Sequence, residues 1–227
     1  MGAELSPDEV DAAARRGSGG PPARARQAAS IILVRDGRPG SGSGSGSGDG
    51  DGDAGEPEVE VLLVQRNPAA RFMGGVWVFP GGAVDPTDGE GDRAHRAAAV
   101  RELAEEAGID GVDPAGLIKF SRWITPVELP IRFDTHFFLA RLPAGQEPRI
   151  DGQECVAEAW RTAQAALDGH ADGRTPLVFP TIRQLEQLRG FTSVDALLEH
   201  ARSREVPTSR PRVTMAGGTA QVVMPGE

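Results

Sequence analysis

An α/β sandwich around a mixed β-sheet is the fold class this sequence predicts. Three observations support it. Runs rich in β-branched residues recur along the chain, the links between them read as antiparallel, and one long helix is clearly marked from Asp92 to Ala107. Strands and helices do not alternate in a repeating βα pattern, so a doubly wound sheet does not fit.

The elements follow in order. Residues 1–27 are polar and rich in Ala, Arg, Gly and Pro, and read as a flexible N-terminal tail. Ala28–Arg35 (AASIILVR) has the β-branched signature of a strand. Residues 37–57 are dominated by Gly, Ser and Asp and read as a disordered loop, which most simply joins two strands of one sheet. Val59–Gln65 is the next strand, and Arg71–Phe79 a further one that ends at a tight turn, Pro80-Gly81-Gly82. In the long helix, Ala97, Val100, Leu103, Ala104 and Ala107 recur at three- and four-residue spacing, and Gly108 stands where a helix C-terminal glycine belongs. Further strands are expected at Gly116–Trp123, Phe133–Ala140 and Cys155–Trp160. Short helices are expected near Thr162–Leu167, Pro180–Arg189 and Ser193–Arg202. The folded domain is therefore assigned to residues 28–206, with a C-terminal extension over 207–227 that includes one more strand at Ala220–Met224.

Composition narrows the function. Among 227 residues, 24 Lys and Arg face 33 Asp and Glu, a net charge of −9. Such a chain repels polyphosphate backbones and anionic membranes, so nucleic-acid and membrane partners are not expected. A small anionic ligand bound through metal ions remains compatible. The single Cys155 cannot form an internal disulfide, and it reads as a buried thiol. No apolar run reaches the length of a membrane span, and the N-terminus lacks the apolar core of a signal peptide, so a cytoplasmic protein is expected. His95, His136, His170 and His200 are scattered without metal-ligand spacing, which argues against a zinc site.

The most informative segment is Arg101-Glu102-Leu103-Ala104-Glu105-Glu106-Ala107-Gly108-Ile109. On a helix, Glu102, Glu105 and Glu106 cluster along one side, an arrangement that destabilises an isolated helix. A hard divalent cation removes that penalty, since Mg²⁺ takes oxygen ligands and is commonly shared between carboxylates and phosphates.

This segment resembles the second half of the Nudix hydrolase signature, Arg-Glu-aliphatic-x-Glu-Glu-x-Gly-aliphatic. The first half departs from the family pattern. The loop after Gly82 is five residues longer than standard, and Asp88 and Glu90 are the candidates to replace the usual loop glutamate. The stretches VLLVQR (61–66), RFMGGVWVFPGGAVDPTD (71–88), WITP (123–126) and RFDTHFFLA (132–140) are similar to the Nudix branch that contains the peroxisomal coenzyme A diphosphatases. The C-terminus itself is no peroxisomal signal.

The resemblance implies an α/β/α sandwich and a Mg²⁺- or Mn²⁺-dependent pyrophosphohydrolase. Its substrate would be a nucleoside diphosphate linked to another moiety, with coenzyme A or an acyl-CoA first. ADP-ribose, NADH and nucleotide sugars are the alternatives within the enzyme class, and a catalytically silent nucleotide-binding Nudix module is the alternative outside it. Metal ligands implied are Glu102, Glu105, Glu106 and the Gly82 carbonyl. Glu102, Glu105, Arg101 and Glu154 form the implied catalytic set, with Arg101 orienting a carboxylate and Glu154 acting as general base or further ligand. Glu158 is the runner-up to Glu154. Arg66 and Arg132 are the candidates to bind substrate phosphates. The partner expected is the small-molecule substrate, and a homodimer is left open.

Overall fold

The computed structural model describes residues 3–4, 21–37, 58–70, 73–216 and 219–226. Most of the tail read over 1–27, and all but Gly37 of the loop read over 37–57, lie outside the described residues.

The strands are β1 (Ala3–Glu4), β2 (Arg26–Asp36), β3 (Val59–Arg66), β4 (Trp77–Val78), β5 (Gly81–Ala83), β6 (Ile118–Ile124), β7 (Phe133–Arg141), β8 (Cys155–Thr162), β9 (Thr208–Ser209), β10 (Arg212–Ala216) and β11 (Thr219–Val223). The helices are α1 (Gly91–Ala107), α2 (Ala163–Ala171), α3 (Phe179–Leu188) and α4 (Val194–Ser203). The main sheet runs β4-β3-β2-β7-β6-β9, with β5 also on β2 and β8 on β3. β2 and β7 are parallel, as are β6 and β9, while the other pairs are antiparallel, so the sheet is mixed.

Each face of the sheet carries helices. On one side Ala98, Ala99, Leu103 and Ala107 of α1 pack on Ile31, Leu33, Leu62, Val64 and Phe138. The alanines on this helix face let its backbone lie close to the sheet, and Leu103 fills the remaining depth. On the other side Ala166, Leu185 and Leu197 of the later helices cover Ile32, Val61, Leu63 and Leu139. The alternation of these two sets along β2 is the period-two pattern of a strand buried on both faces. The result is an α/β/α sandwich.

Several expectations need adjustment. β2 begins at Arg26, two residues inside the segment read as tail. Arg71 and Phe72 lie outside the described residues, and of the predicted strand 71–79 only Trp77–Val78 is extended and paired. Gly81 and Gly82, read as a turn, form a strand of their own against Ala28–Ser30. The C-terminal stretch adds a hairpin, β10 with β11, rather than one strand, and β1 pairs with its outer edge. Val222 of this hairpin is buried in the core, and β9 extends the main sheet, so the stretch read as an extension is integrated with the fold. In α1 the buried apolar positions are Ala94, Ala98, Ala99, Leu103 and Ala107, whereas Ala97, Val100 and Ala104 are only partly covered. Among the described residues no helix is long and apolar enough to cross a membrane.

Candidate active site

The C-terminal half of α1 presents its acidic side to β5. The helix stops at Gly108, whose left-handed backbone (φ 61°) lets its N–H bond back to Ala104. Two residues before that stop, Glu106 is only 2% exposed, and its Oε2 accepts the Gly81 N–H at 2.9 Å. Burial pushes the Glu106 carboxyl up to about 7, against the lowering pull of that N–H, and the Glu102 charge adds to the rise. Glu102 is also raised by burial, an effect partly offset by Arg101. Glu105 points outward, its side chain 58% exposed.

β5 is placed by two hydrogen bonds on the carbonyl that precedes it. The Ser30 hydroxyl and the Ile31 N–H both donate to Pro80 O at 2.9 Å. This holds Gly81 against Ser30 and Gly82 against Ala29. A side chain at Gly81 would collide with the β2 backbone, its Cβ 2.5 Å from Ala29 O and 2.6 Å from Ser30 Cα. A side chain at Gly82 would collide instead with the Glu102 carboxyl group, 2.5 Å from Cδ and 2.7 Å from Oε2. The two glycines thus let the sheet backbone, α1 and the Glu102 carboxylate converge.

Arg101 ties this cluster together. Its Nη1 donates to Glu102 Oε1 and to Glu105 Oε2, both at 2.9 Å, and its Nη2 donates to the Ala83 carbonyl at 3.1 Å. The rest of the guanidinium takes Asp88, Nε to Oδ1 at 3.1 Å and Nη2 to Oδ2 at 3.0 Å. Asp88 ends a 3-10 turn, Pro86–Asp88, in which Asp85 and Asp88 cap each other's backbone. Arg101 holds the Asp88 carboxyl below its usual range, and the carboxylates hold Arg101 firmly charged. Of the two loop candidates, Asp88, reached six residues after Gly82, is the one that closes on Arg101. Glu90 is exposed at the start of α1 and makes no side-chain cap.

Two further predicted residues approach the cluster from β3 and β8. The register between these strands shifts at Gln65/Arg66, where Arg66 comes opposite Cys155, and such irregularities re-aim side chains. Arg66 Nε is buried without a hydrogen-bond partner among the described residues, and the Arg66 charge acts on Glu106. Glu154 is exposed, but its backbone is fixed on both sides: its carbonyl accepts from Asn67 at 2.8 Å and its N–H donates to Asp151 Oδ2 at 2.7 Å. Its charge reaches Glu102 and Glu106 and raises both. Cys155 is fully buried and its thiol faces Glu106; burial first, then that carboxylate, pushes the thiol up to about 12.

Arg132 is not brought to the cluster. Its Nε donates to Thr125 O at 3.1 Å and its Nη1 to Ala23 O at 2.5 Å, so its guanidinium is committed to backbone carbonyls. Glu158 lies mid-strand opposite Val64 and is exposed.

The donor set fits a hard divalent cation. It offers carboxylate and carbonyl oxygens only, Glu106 is buried and Glu102 partly so, burial raises both carboxyl groups, and Gly82 leaves room for the backbone to take part. Among the described residues no three Asp, Glu, His or Cys side chains are grouped so as to hold a metal ion as they stand: Arg101 draws Glu102 and Glu105 to itself and Gly81 holds Glu106.

The family model described as NUDIX domain matches residues 51–179. The Caenorhabditis elegans protein named "Putative nudix hydrolase 7" is 27% identical over 205 residues, covering 74% of this chain and 68% of its own. The crystal structure of a NUDIX hydrolase from Alicyclobacillus acidocaldarius superposes with a TM-score of 0.62 at 28% identity, covering 78% of this chain and 96% of that one.

Proposed function

The chain belongs to the NUDIX domain family and is a Nudix hydrolase, and from that premise we propose that it is a divalent-metal-dependent pyrophosphohydrolase. Its substrate is a nucleoside diphosphate linked to another moiety, with coenzyme A or an acyl-CoA first in line. The observation that carries the reading is the Arg101 guanidinium bridging Asp88, Glu102 and Glu105 beside buried Glu106. The stretches at 61–66, 71–88, 123–126 and 132–140 support the choice of coenzyme A.

Glu102, Glu105, Glu106 and the Gly82 carbonyl are the groups to hold Mg²⁺ or Mn²⁺. Bound there, the cation would neutralise phosphate charge and acidify a bound water. The chain's own residues do the rest. Arg101 fixes the carboxylates of Glu102 and Glu105 through a rigid fork, and Asp88 fixes Arg101. Arg66, with Nε unsatisfied, receives non-bridging phosphate oxygens. Glu154 takes the proton of the attacking water as its oxygen bonds to phosphorus. The bridging P–O bond breaks, and the leaving phosphate keeps that electron pair. The products are a nucleotide and a phosphorylated second moiety.

The test is product formation from CoA, acetyl-CoA, ADP-ribose, NADH, UDP-glucose and dATP with Mg²⁺ or Mn²⁺, wild type beside Glu105→Gln and Glu106→Gln. Metal-dependent cleavage of CoA, lost in both variants, supports the reading in full. Cleavage of another compound keeps the mechanism and removes CoA. Nucleotide binding with no turnover of any compound replaces the enzyme reading by a silent binding module.

A further inference from the structure

Against the turn that carries Asp88 lies a cavity of about 460 Å³, lined among others by Arg24, Arg26, Gln27, Val84, Asp85 and Pro86. Its volume is in the range of small-molecule sites. Its charge runs against the acidic chain: two arginines line it, and neither Arg24 nor Arg26 forms an ion pair among the described residues. The one carboxylate in the wall, Asp85, offsets only one of the two charges and forms an ion pair with neither among the described residues. Asp85 Oδ1 is turned back onto Thr87, accepting from its N–H at 2.8 Å and its hydroxyl at 2.7 Å.

The segment that carries the arginines is held in place. Arg132 clamps the Ala23 carbonyl just before it, and Arg26 N–H donates to Arg132 O at 2.9 Å. The Arg26 guanidinium also lies over the Phe133 ring, 5.8 Å from its centre. Val84 N–H donates to Gln27 O at 2.9 Å, which joins the segment to the catalytic turn. From Asp85 in the cavity wall to Asp88 on Arg101 is a single 3-10 turn, about 6 Å.

We propose that this cavity is a second anion subsite, taking a phosphate monoester that the substrate carries away from its scissile diphosphate. A phosphate monoester suits the pair better than a carboxylate. One guanidinium fork fills both oxygens of a carboxylate, whereas a phosphate offers a third oxygen and more charge to a second fork. Val84 and Pro86 supply the apolar wall for the carbon frame that bears it. The inference rests on the pyrophosphohydrolase reading for its catalytic consequence, but its binding consequence is independent of turnover.

Two pairs of compounds differ by one such phosphate: CoA against 3′-dephospho-CoA, and NADPH against NADH. The full-length protein and its Arg24→Ser/Arg26→Ser double variant are compared on each pair as a ratio of kcat/KM. Binding of adenosine 3′,5′-bisphosphate against adenosine 5′-monophosphate is measured in parallel by calorimetry. The wild type is expected to favour the bisphosphate and at least one phosphorylated substrate by about tenfold or more, the scale of charge-assisted hydrogen bonds. The double variant is expected to bring those ratios close to one. Equal binding of the two adenosine phosphates by the wild type, or a preference that survives in the double variant, overturns the subsite. If none of the four compounds is cleaved, the pyrophosphohydrolase reading fails for them, and the calorimetric ratio alone still decides the subsite.

Discussion

Arg101 grips Asp88 through both carboxylate oxygens, at 3.1 and 3.0 Å, on a side chain of Asp88 that is only 4% exposed. The pair joins the loop after Gly82 to the helix that carries Glu102, Glu105 and Glu106, and it leaves Nη1 of Arg101 for Glu102 and Glu105. Asp88→Asn keeps the shape but removes the charge that orients Arg101. The expected result is a fall in kcat of about 10- to 100-fold, the usual cost of losing a residue that orients metal ligands. Asp88→Glu should recover part of it. Steady-state kinetics with saturating Mn²⁺ checks this; wild-type kcat in Asp88→Asn would show that Arg101 needs no anchor.

Adjacent glycines give a second prediction, because their missing side chains face different neighbours. Gly81→Ala drives a methyl group into the β2 backbone, which cannot move without breaking the sheet, so the variant should unfold earlier and lose activity with its fold. Gly82→Ala meets only the end of the Glu102 side chain, which can swing away. Its thermal midpoint should stay close to wild type while kcat falls sharply. Paired melting curves and assays separate the two. Similar stability loss in both variants would mean that the Glu102 carboxylate is not free to yield.

The contrast also shows which parts of the site were legible in the sequence. Glu102, Glu105 and Glu106 were legible because their grouping is local, fixed by helical spacing alone. The acidic loop was half legible: Asp88 and Glu90 are two residues apart, and only the fold shows that Asp88 closes on Arg101 while Glu90 faces solvent. Gly81-Gly82 read as a turn because glycine pairs usually are turns, yet pairing with distant Ala28–Ser30 makes them a strand. Arg132 read as a phosphate ligand from its neighbours in sequence, and its partners, Ala23 and Thr125, are set by tertiary structure. The stacked pair of His95 and His136 left no sequence signal, since it depends on how α1 lies across β7.

Removal of divalent metal should abolish turnover, because the carboxylate cluster offers no other electrophile to a pyrophosphate. EDTA dialysis followed by assay should give activity near background, restored by Mg²⁺ or Mn²⁺. Glu105→Gln and Glu106→Gln should each cost about 10²–10³-fold in kcat, as losses of a transition-state stabilising group do. Their structural consequences should differ. Glu105 is exposed and its replacement should leave stability unchanged, whereas Glu106 is buried and holds Gly81. Activity that persists at the wild-type level after complete chelation would refute a metal-dependent reaction.

The last prediction concerns pH and stability. His95 and His136 stack with ring centres 3.9 Å apart and planes within 9°. His95 is bonded at both ring nitrogens, to Gly91 O and Gln27 Oε1, each at 2.9 Å. His136 Nδ1 is buried without a partner among the described residues. Burial, then His95, Lys119 and Arg122, lowers His136 to about 4, and only Asp134 opposes them. Between its ordinary value near 6.5 and about 4, the unfolded chain therefore takes up a proton that the folded protein refuses. The His136 contribution to stability therefore falls as pH falls through that window and levels off below it, while the raised Glu106 carboxyl contributes with the opposite sign. One pKa unit corresponds to about 1.4 kcal/mol, which sets an upper scale of about 3.5 kcal/mol for the whole window. Urea unfolding at pH 7.5 and pH 4.5 should show the loss in wild type and a distinctly smaller loss in His136→Gln, which cannot titrate. Equal losses in the two proteins would place the acid sensitivity elsewhere.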